Sequence, residues 1–126
     1  MDLQLENKTA IVTGASEGLG KAIATAFAAE GANVFISSRS EDKLKAASKD
    51  IIEKTGNKNV KYFVCDMKSE EEIRTLVQKV VQTAETVDIL INNAGGPPAG
   101  KFINISDEQW FDAFEQNLLS VVRATR

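Results

Sequence analysis

The chain has 126 residues, 43% hydrophobic and 26% charged, with a formal net charge of −3; at ~100–200 residues per domain this is one soluble globular domain, not a disordered, collagen-like or membrane-spanning chain. With no histidine and a single cysteine, Cys65, it excludes Ser-His and Cys-His nucleophiles, imidazole-based zinc, an intrachain disulfide and a thiolate cluster, so no metal site is expected. The charge offers no global positive field for nucleic acid or an anionic membrane, and the alternating start MDLQLENK and the short apolar window 22–29 point to a cytoplasmic protein.

Residues 9–12 form a β-rich run that stops at Gly14, after which Leu19, Ile23, Ala26 and Phe27 recur at helical spacing as far as Glu30. The pattern predicts strand, Gly-rich turn, helix, with Gly31 as a left-handed cap. Residues 34–36 are a second strand, ending in Ser37-Ser38-Arg39-Ser40. A second helix follows with Leu44, Ala47, Ile51 and Ile52 on one face, ending near Thr55-Gly56-Asn57. Residues 60–64 are a third strand, and Ser69 with Glu72 matches a capping box opening a third helix. Ile73, Leu76, Val77, Val80, Val81 and Ala84 make its apolar stripe. Residues 89–91 are a fourth strand, 92–100 a loop dense in glycine and proline, and a second capping box, Ser106 with Gln109, opens a last helix that is still running at Arg126.

Strand and helix alternate four times, and the near-continuous apolar strands require cover on both faces. The expected fold is α/β, a Rossmann-type doubly wound parallel sheet represented by about four strands and four helices, with ligands beyond the carboxyl ends of the strands. A receiver-type or flavodoxin-like sheet is disfavoured, because receivers need clustered carboxylates after the first strand, where Thr13-Gly14 stands.

The turn from Thr13 to Gly20 lies between strand and helix, where free amides and a partial positive charge suit a pyrophosphate. Asn117 falls on one ideal helical face with Trp110, Phe114 and Val121. A buried amide there either plugs nearby backbone or holds a working water, since leaving it unsatisfied costs roughly 1–3 kcal/mol.

Thr-Gly-x-x-x-Gly-x-Gly after the first strand, Asp66 after the third, Asn92-Asn93-Ala94-Gly95 after the fourth and Asn117 in the following helix together resemble the classical short-chain dehydrogenase/reductases. The stretch leading to Trp110 and Asn117 looks especially like the 3-oxoacyl-carrier-protein reductase branch, and the resemblance covers essentially the whole chain. It implies an oxidoreductase that transfers a hydride between nicotinamide and a small carbonyl or alcohol substrate. It implies further that Gly14, Ser16, Gly18, Leu19 and Gly20 surround the pyrophosphate, with Glu17 also among the cofactor-binding residues, that Asp66 and Met67 border the adenine, and that Asn93, Ala94 and Gly95 line the nicotinamide ribose. Asn117 then belongs to the active site and supports a water in a proton relay.

In that family a tyrosine protonates the carbonyl, helped by a lysine four residues later and by a serine. The sole tyrosine, Tyr62, sits in the third strand with Asp66 four residues on, so it is not that residue. The chain therefore looks like the N-terminal half of such an enzyme, residues 1–126 forming a dinucleotide-binding domain that stops before the catalytic serine, tyrosine and lysine. Alone, it is expected to turn over no substrate and to fold poorly, because its fourth strand lacks a neighbour. The alternative is a non-catalytic domain that binds nucleotide or a partner.

Ser38 and Arg39 end the second strand where a carboxylate would select NAD and an arginine would pair with a 2′-phosphate, and Arg39 lies nineteen residues past Gly20, near the expected ~20. NADP(H) is therefore expected. Glu17 stands where many NADP-preferring relatives carry a basic residue, and it keeps NAD as the alternative. At ~100° per residue, Trp110, Phe111, Phe114, Leu118, Leu119, Val121 and Val122 spread over roughly 200° of the last helix, about twice what one sheet needs. Val121 and Asn117 are expected to face the sheet and active site, leaving Phe111, Leu118, Leu119 and Val122 for another helix or another subunit; a homodimer or homotetramer is expected, with the missing half of the same chain as the alternative cover.

Overall fold

The computed structural model describes residues 3–93 and 106–125. Four strands, β1 (Thr9–Thr13), β2 (Asn33–Ser38), β3 (Val60–Val64) and β4 (Ile89–Ile91), pair in parallel in the order β3-β2-β1-β4. Ile11 lies opposite Phe35 and Leu90, and Val12 opposite Ile36 and Ile91. The period of two sends these neighbours to opposite faces, and both faces are buried. Val12, Val34 and Ile36 pack with Ala24 and Ala28 of α1 (Gly18–Ala29) and with Leu44, Ala47 and Ile51 of α2 (Glu41–Thr55). Ile11 and Phe35 pack with Ile73, Leu76 and Val80 of α3 (Glu70–Ala84). The sheet is thus doubly wound, as expected. Its order also excludes the flavodoxin-like sheet, in which the third strand would lie beside the first.

The last helix comprises α4 (Asp107–Phe114), a π turn (Glu115–Leu119) and α5 (Ser120–Thr125). No helix among the described residues is long and apolar enough to cross a membrane.

Several local expectations are corrected. In α1 the buried residues are Gly20, Ala24 and Ala28, with Ile23 and Phe27 half-buried, while Leu19 is 69% exposed. Small residues let this helix lie close to β1 and β2, so the larger apolar residues are displaced to its flanks and surface. The strand β3 is covered less completely than a continuous apolar run implies: Lys61 and Val64 are exposed, because β3 ends the sheet. Only half of the first capping box forms. Ser69 Oγ accepts from the Glu72 amide at 3.2 Å, but the Ser69 amide donates to the Asp66 carbonyl, so Glu72 Oε1 accepts from the Asp66 amide instead. The second box, Ser106 with Gln109, is complete. Gly31 and Gly56 end α1 and α2 at positive φ, as their places in the sequence suggest.

The π turn carries the largest correction. An i→i+5 turn admits an extra residue and rotates everything after it relative to an uninterrupted 3.6 period. Ser120 is buried and Ala124 packs into the α3 side of the core, while Val121 is only half-buried. Trp110, Phe114 and Val121, expected together on the face toward the sheet, are therefore not the residues buried there. Trp110, Phe111, Phe114, Leu118 and Val122 are exposed, and Leu119, expected among them, is half-buried.

Candidate functional site

The strand order reverses between β1 and β4, and two side chains tie their carboxyl ends together. Thr13, 1% exposed, accepts a hydrogen bond at Oγ1 from the Asn93 amide at 2.9 Å and lies within donating distance of the Asn93 carbonyl at 3.0 Å and the Ile91 carbonyl at 3.3 Å. Asn93 Nδ2 donates to the Gly14 carbonyl at 3.0 Å. From the other side the Ala15 amide donates to the Ser37 carbonyl, and the Cys65 amide to the Ser38 carbonyl. All four strand ends are thus held by short polar links across one crevice.

Two glycines make this packing possible. Gly14 has φ +59, and a Cβ there would collide with the Asn93 carbonyl. A Cβ on Gly20 would collide with the Gly14 carbonyl and with Asn93 Nδ2. The turn therefore folds directly against β4 and feeds α1 beneath it. Glu17, the residue preceding α1, makes no side-chain cap, whereas Ser40, Ser69 and Ser106 cap α2, α3 and α4. The first turn of α1 keeps its amides and dipole for something else, the arrangement an anionic pyrophosphate fits.

Around this crevice lies a cleft of about 380 Å³, lined by Gly14, Ser16 and Glu17 on one side, residues 38–40 and Lys43 on another, and residues 65–67 and Asn93 on a third. Of the expected site residues, Gly14, Ser16, Glu17, Ser38, Arg39, Asp66, Met67 and Asn93 are thereby brought together. Gly18, Leu19 and Gly20 are placed at the head of α1 rather than in the lining, and Leu19 turns its side chain outward. Ala94 and Gly95 lie outside the described residues. Asn117 lies within the π turn, a feature often found at functional sites.

Arg39 is exposed and has no hydrogen-bond or ion-pair partner among the described residues. Ser38 Oγ bonds within its own turn, to the Ser40 amide and carbonyl at 3.3 and 3.4 Å. Asp66 Oδ1 accepts from the Lys68 amide at 3.0 Å, closing the turn after β3. Cys65 floors the cleft, fully buried with its Sγ 3.8 Å from Met67 Sδ. Burial, reinforced by the negative charges of Glu72 and Asp66, pushes its thiol up to about 12, so it is no nucleophile at neutral pH. Arg123 joins this region to the last helix, donating to the Lys68 carbonyl at 3.1 Å and pairing with Glu115 across the π turn at 2.9 Å.

Ser40, Lys43 and Cys65 line the cleft without belonging to any of the motifs, and the motif residue Thr13 serves as the tie between β1 and β4. For Lys43 a signal exists: it stands in the first turn of a helix that starts right after Arg39. A second, larger cleft of about 650 Å³ lies between α3, β4 and α5, away from the crevice at the strand ends.

The family profile for short chain dehydrogenases matches residues 8–126. A 3-oxoacyl-[acyl-carrier-protein] reductase of Chlamydia muridarum is 38% identical over 121 residues, covering 96% of this chain and 48% of that protein. Among solved structures, the L-sorbose reductase of Gluconobacter frateurii complexed with NADPH and L-sorbose superposes with a TM-score of 0.93 at 34% identity, covering 100% of this chain and 48% of that one. A variant of actinorhodin polyketide ketoreductase with NADPH superposes with a TM-score of 0.88 at 39% identity, covering 94% and 45%. The chain spans about half the length of the curated relatives it matches.

Proposed function

The chain belongs to the short chain dehydrogenase family, and from that premise we propose that it is the dinucleotide-binding part of an NADP(H)-dependent oxidoreductase acting on a carbonyl or alcohol. The observation that carries the cofactor choice is the unpartnered Arg39 at the carboxyl end of β2, beside Ser38 and Ser40 and with no carboxylate in that turn. A guanidinium there suits a 2′-phosphate, and its planar fork can take two phosphate oxygens. The NADPH held by both structural neighbours supports the same choice.

In this reading the amides at the head of α1 bind the pyrophosphate, Asp66 and Met67 border the adenine, and Asn93, with Ala94 and Gly95, lines the nicotinamide ribose. The bound cofactor supplies or accepts the hydride. Asn117 holds a water that passes protons. A 3-oxoacyl-type substrate is favoured because relatives named 3-oxoacyl-[acyl-carrier-protein] reductase and polyketide ketoreductase match this chain. A cytoplasmic setting and a homodimer or homotetramer formed through the exposed face of α4, the π turn and α5 belong to the same proposal.

One observation favours a second reading, a domain that binds the nucleotide without turnover. Tyr62, the sole tyrosine, packs against the α1–α2 side of the core, so no tyrosine of this chain can protonate a carbonyl at the cleft. Turnover then requires residues that these 126 do not supply.

Fluorescence titration of the intact protein with NADPH and NADH tests the cofactor choice. The expected result is an NADPH preference of at least about tenfold, as one charge-assisted pair supplies, which Arg39→Ala removes. Equal affinities, or a preference untouched by Arg39→Ala, overturn it.

A further inference from the structure

The sequence places a carboxylate, Glu17, at the mouth of a cleft read as the site of a phosphate-bearing nucleotide, and the structure shows what neutralises it. Lys43 Nζ lies 3.6 Å from Glu17 Oε1, and both side chains line the cleft. Resting on the NADP(H) reading above, we propose that Lys43 is a second ligand of the 2′-phosphate and that Glu17 is the carboxylate it leaves when that phosphate binds.

Three features support this. The first is placement. Ser40 caps α2, its Oγ accepting from the Lys43 amide at 3.4 Å, which sets Lys43 in the helical turn that begins directly after Arg39. The two cations therefore border the same wall, which Ser38 and Ser40 also line. Glu41 and Asp42 share that first turn but do not line the cleft.

The second is the weakness of the present pair. Its separation exceeds the ~2.7–2.9 Å of a good charge-assisted hydrogen bond, and the Lys43 and Glu17 side chains are 61% and 75% exposed. Exposed pairs of this kind contribute little and are screened by salt. A phosphate dianion with three acceptor oxygens, held from the other side by Arg39, is a stronger partner for the ammonium.

The third is charge. The lining holds two cations, Arg39 and Lys43, against two carboxylates, Glu17 and Asp66. Without Lys43 the carboxylates of the lining outnumber the cations, and Arg39 alone must hold a dianion against them. A ribose bearing only a 2′-hydroxyl has no charge with which to draw Lys43 away, so the pair stays closed. Glu17 and Lys43 together then favour the phosphorylated ribose, even though Glu17 alone would oppose it.

The test compares 2′,5′-ADP with 5′-AMP as calorimetric probes of the intact protein, so that the nicotinamide end contributes nothing. Lys43→Met should weaken 2′,5′-ADP about tenfold, the loss of one charge-assisted contact, and change 5′-AMP less than about twofold. Lys43→Arg should retain the preference. Glu17→Gln should tighten 2′,5′-ADP, and adding it to Lys43→Met should recover part of the loss. Equal effects of Lys43→Met on both probes would overturn the proposal. So would weaker 5′-AMP binding in Glu17→Gln, since that would make Glu17 a ligand of the ribose hydroxyl. If Arg39→Ala abolishes the preference while Lys43→Met is silent, the role of Lys43 falls and the NADP(H) reading stands. If both are silent, the reading itself falls.

Discussion

Replacing Thr13 by valine keeps the β-branch and nearly the volume, and removes the hydroxyl that ties β1 to the residues after β4. A hydroxyl has one hydrogen, so at any moment Thr13 accepts from the Asn93 amide and donates to either the Asn93 or the Ile91 carbonyl. Two hydrogen bonds are therefore lost. At ~0.5–1.5 kcal/mol each, with Asn93 half-buried and partly open to water, the expected destabilisation is about 2 kcal/mol. Thr13→Ser keeps both bonds and loses one methyl, costing about 1 kcal/mol. Hydrophobicity alone would rank the variants the other way, since serine is the more polar residue at a position 1% exposed. Urea unfolding of the intact protein decides it through the midpoint, provided the slope is unchanged. A valine variant at least as stable as the serine variant would refute the argument that this hydroxyl, rather than packing, holds the crevice together.

The Cys65 thiol, raised in the folded state from an ordinary 9.0 to about 12, should add stability that is complete below about pH 9 and lost as pH rises toward 12, because the unfolded chain gives up its proton first. Urea midpoints of the parent and Cys65→Ala should therefore converge or cross over that interval, and parallel curves would show that the thiol is not linked to folding. Leu118, half exposed beside Phe114 and Val122, is a suitable place to test association: Leu118→Glu should lower the mass seen by light scattering. An unchanged mass places the interface elsewhere.

The alternation of strands and helices was readable because each element carries its own period. The six apolar positions of α3 and the Ser106–Gln109 box are local patterns, and the structure reproduces their elements. Exposure depends on neighbours that no single period contains. Leu19 fits a helical stripe as well as Ala24 does, yet the close approach of α1 to the sheet selects the smaller residues. Lys61 and Val64 interrupt burial in β3 because that strand ends the sheet, a property of strand order rather than of the strand. The π turn is the clearest case. Residues 115–119 read as ordinary helix, and one widened turn after Phe114 is enough to bring Ser120 and Ala124, not Val121, to the core.

The cleft was legible to the extent that its chemistry is carried by backbone turns. Gly14 and Gly20 can be read from sequence because a tight strand-to-helix turn excludes side chains wherever it occurs, and the structure gives the reason in the collisions a Cβ would make with Asn93 and with Gly14 itself. Thr13 and Asn93 are harder to read, since their partners lie about eighty positions away and exist only once β1 and β4 are adjacent. Lys43 is hardest. Its meaning depends on where an ammonium at the end of a flexible stem comes to rest, and that is set by a carboxylate on a different element. Taken alone, Glu17 argues against an anionic ligand; opposite Lys43, it can be neutralised. The net charge of a binding cleft is therefore a property of the folded lining rather than of any one motif, and a motif with one residue of the wrong sign can still belong to a site of the right sign.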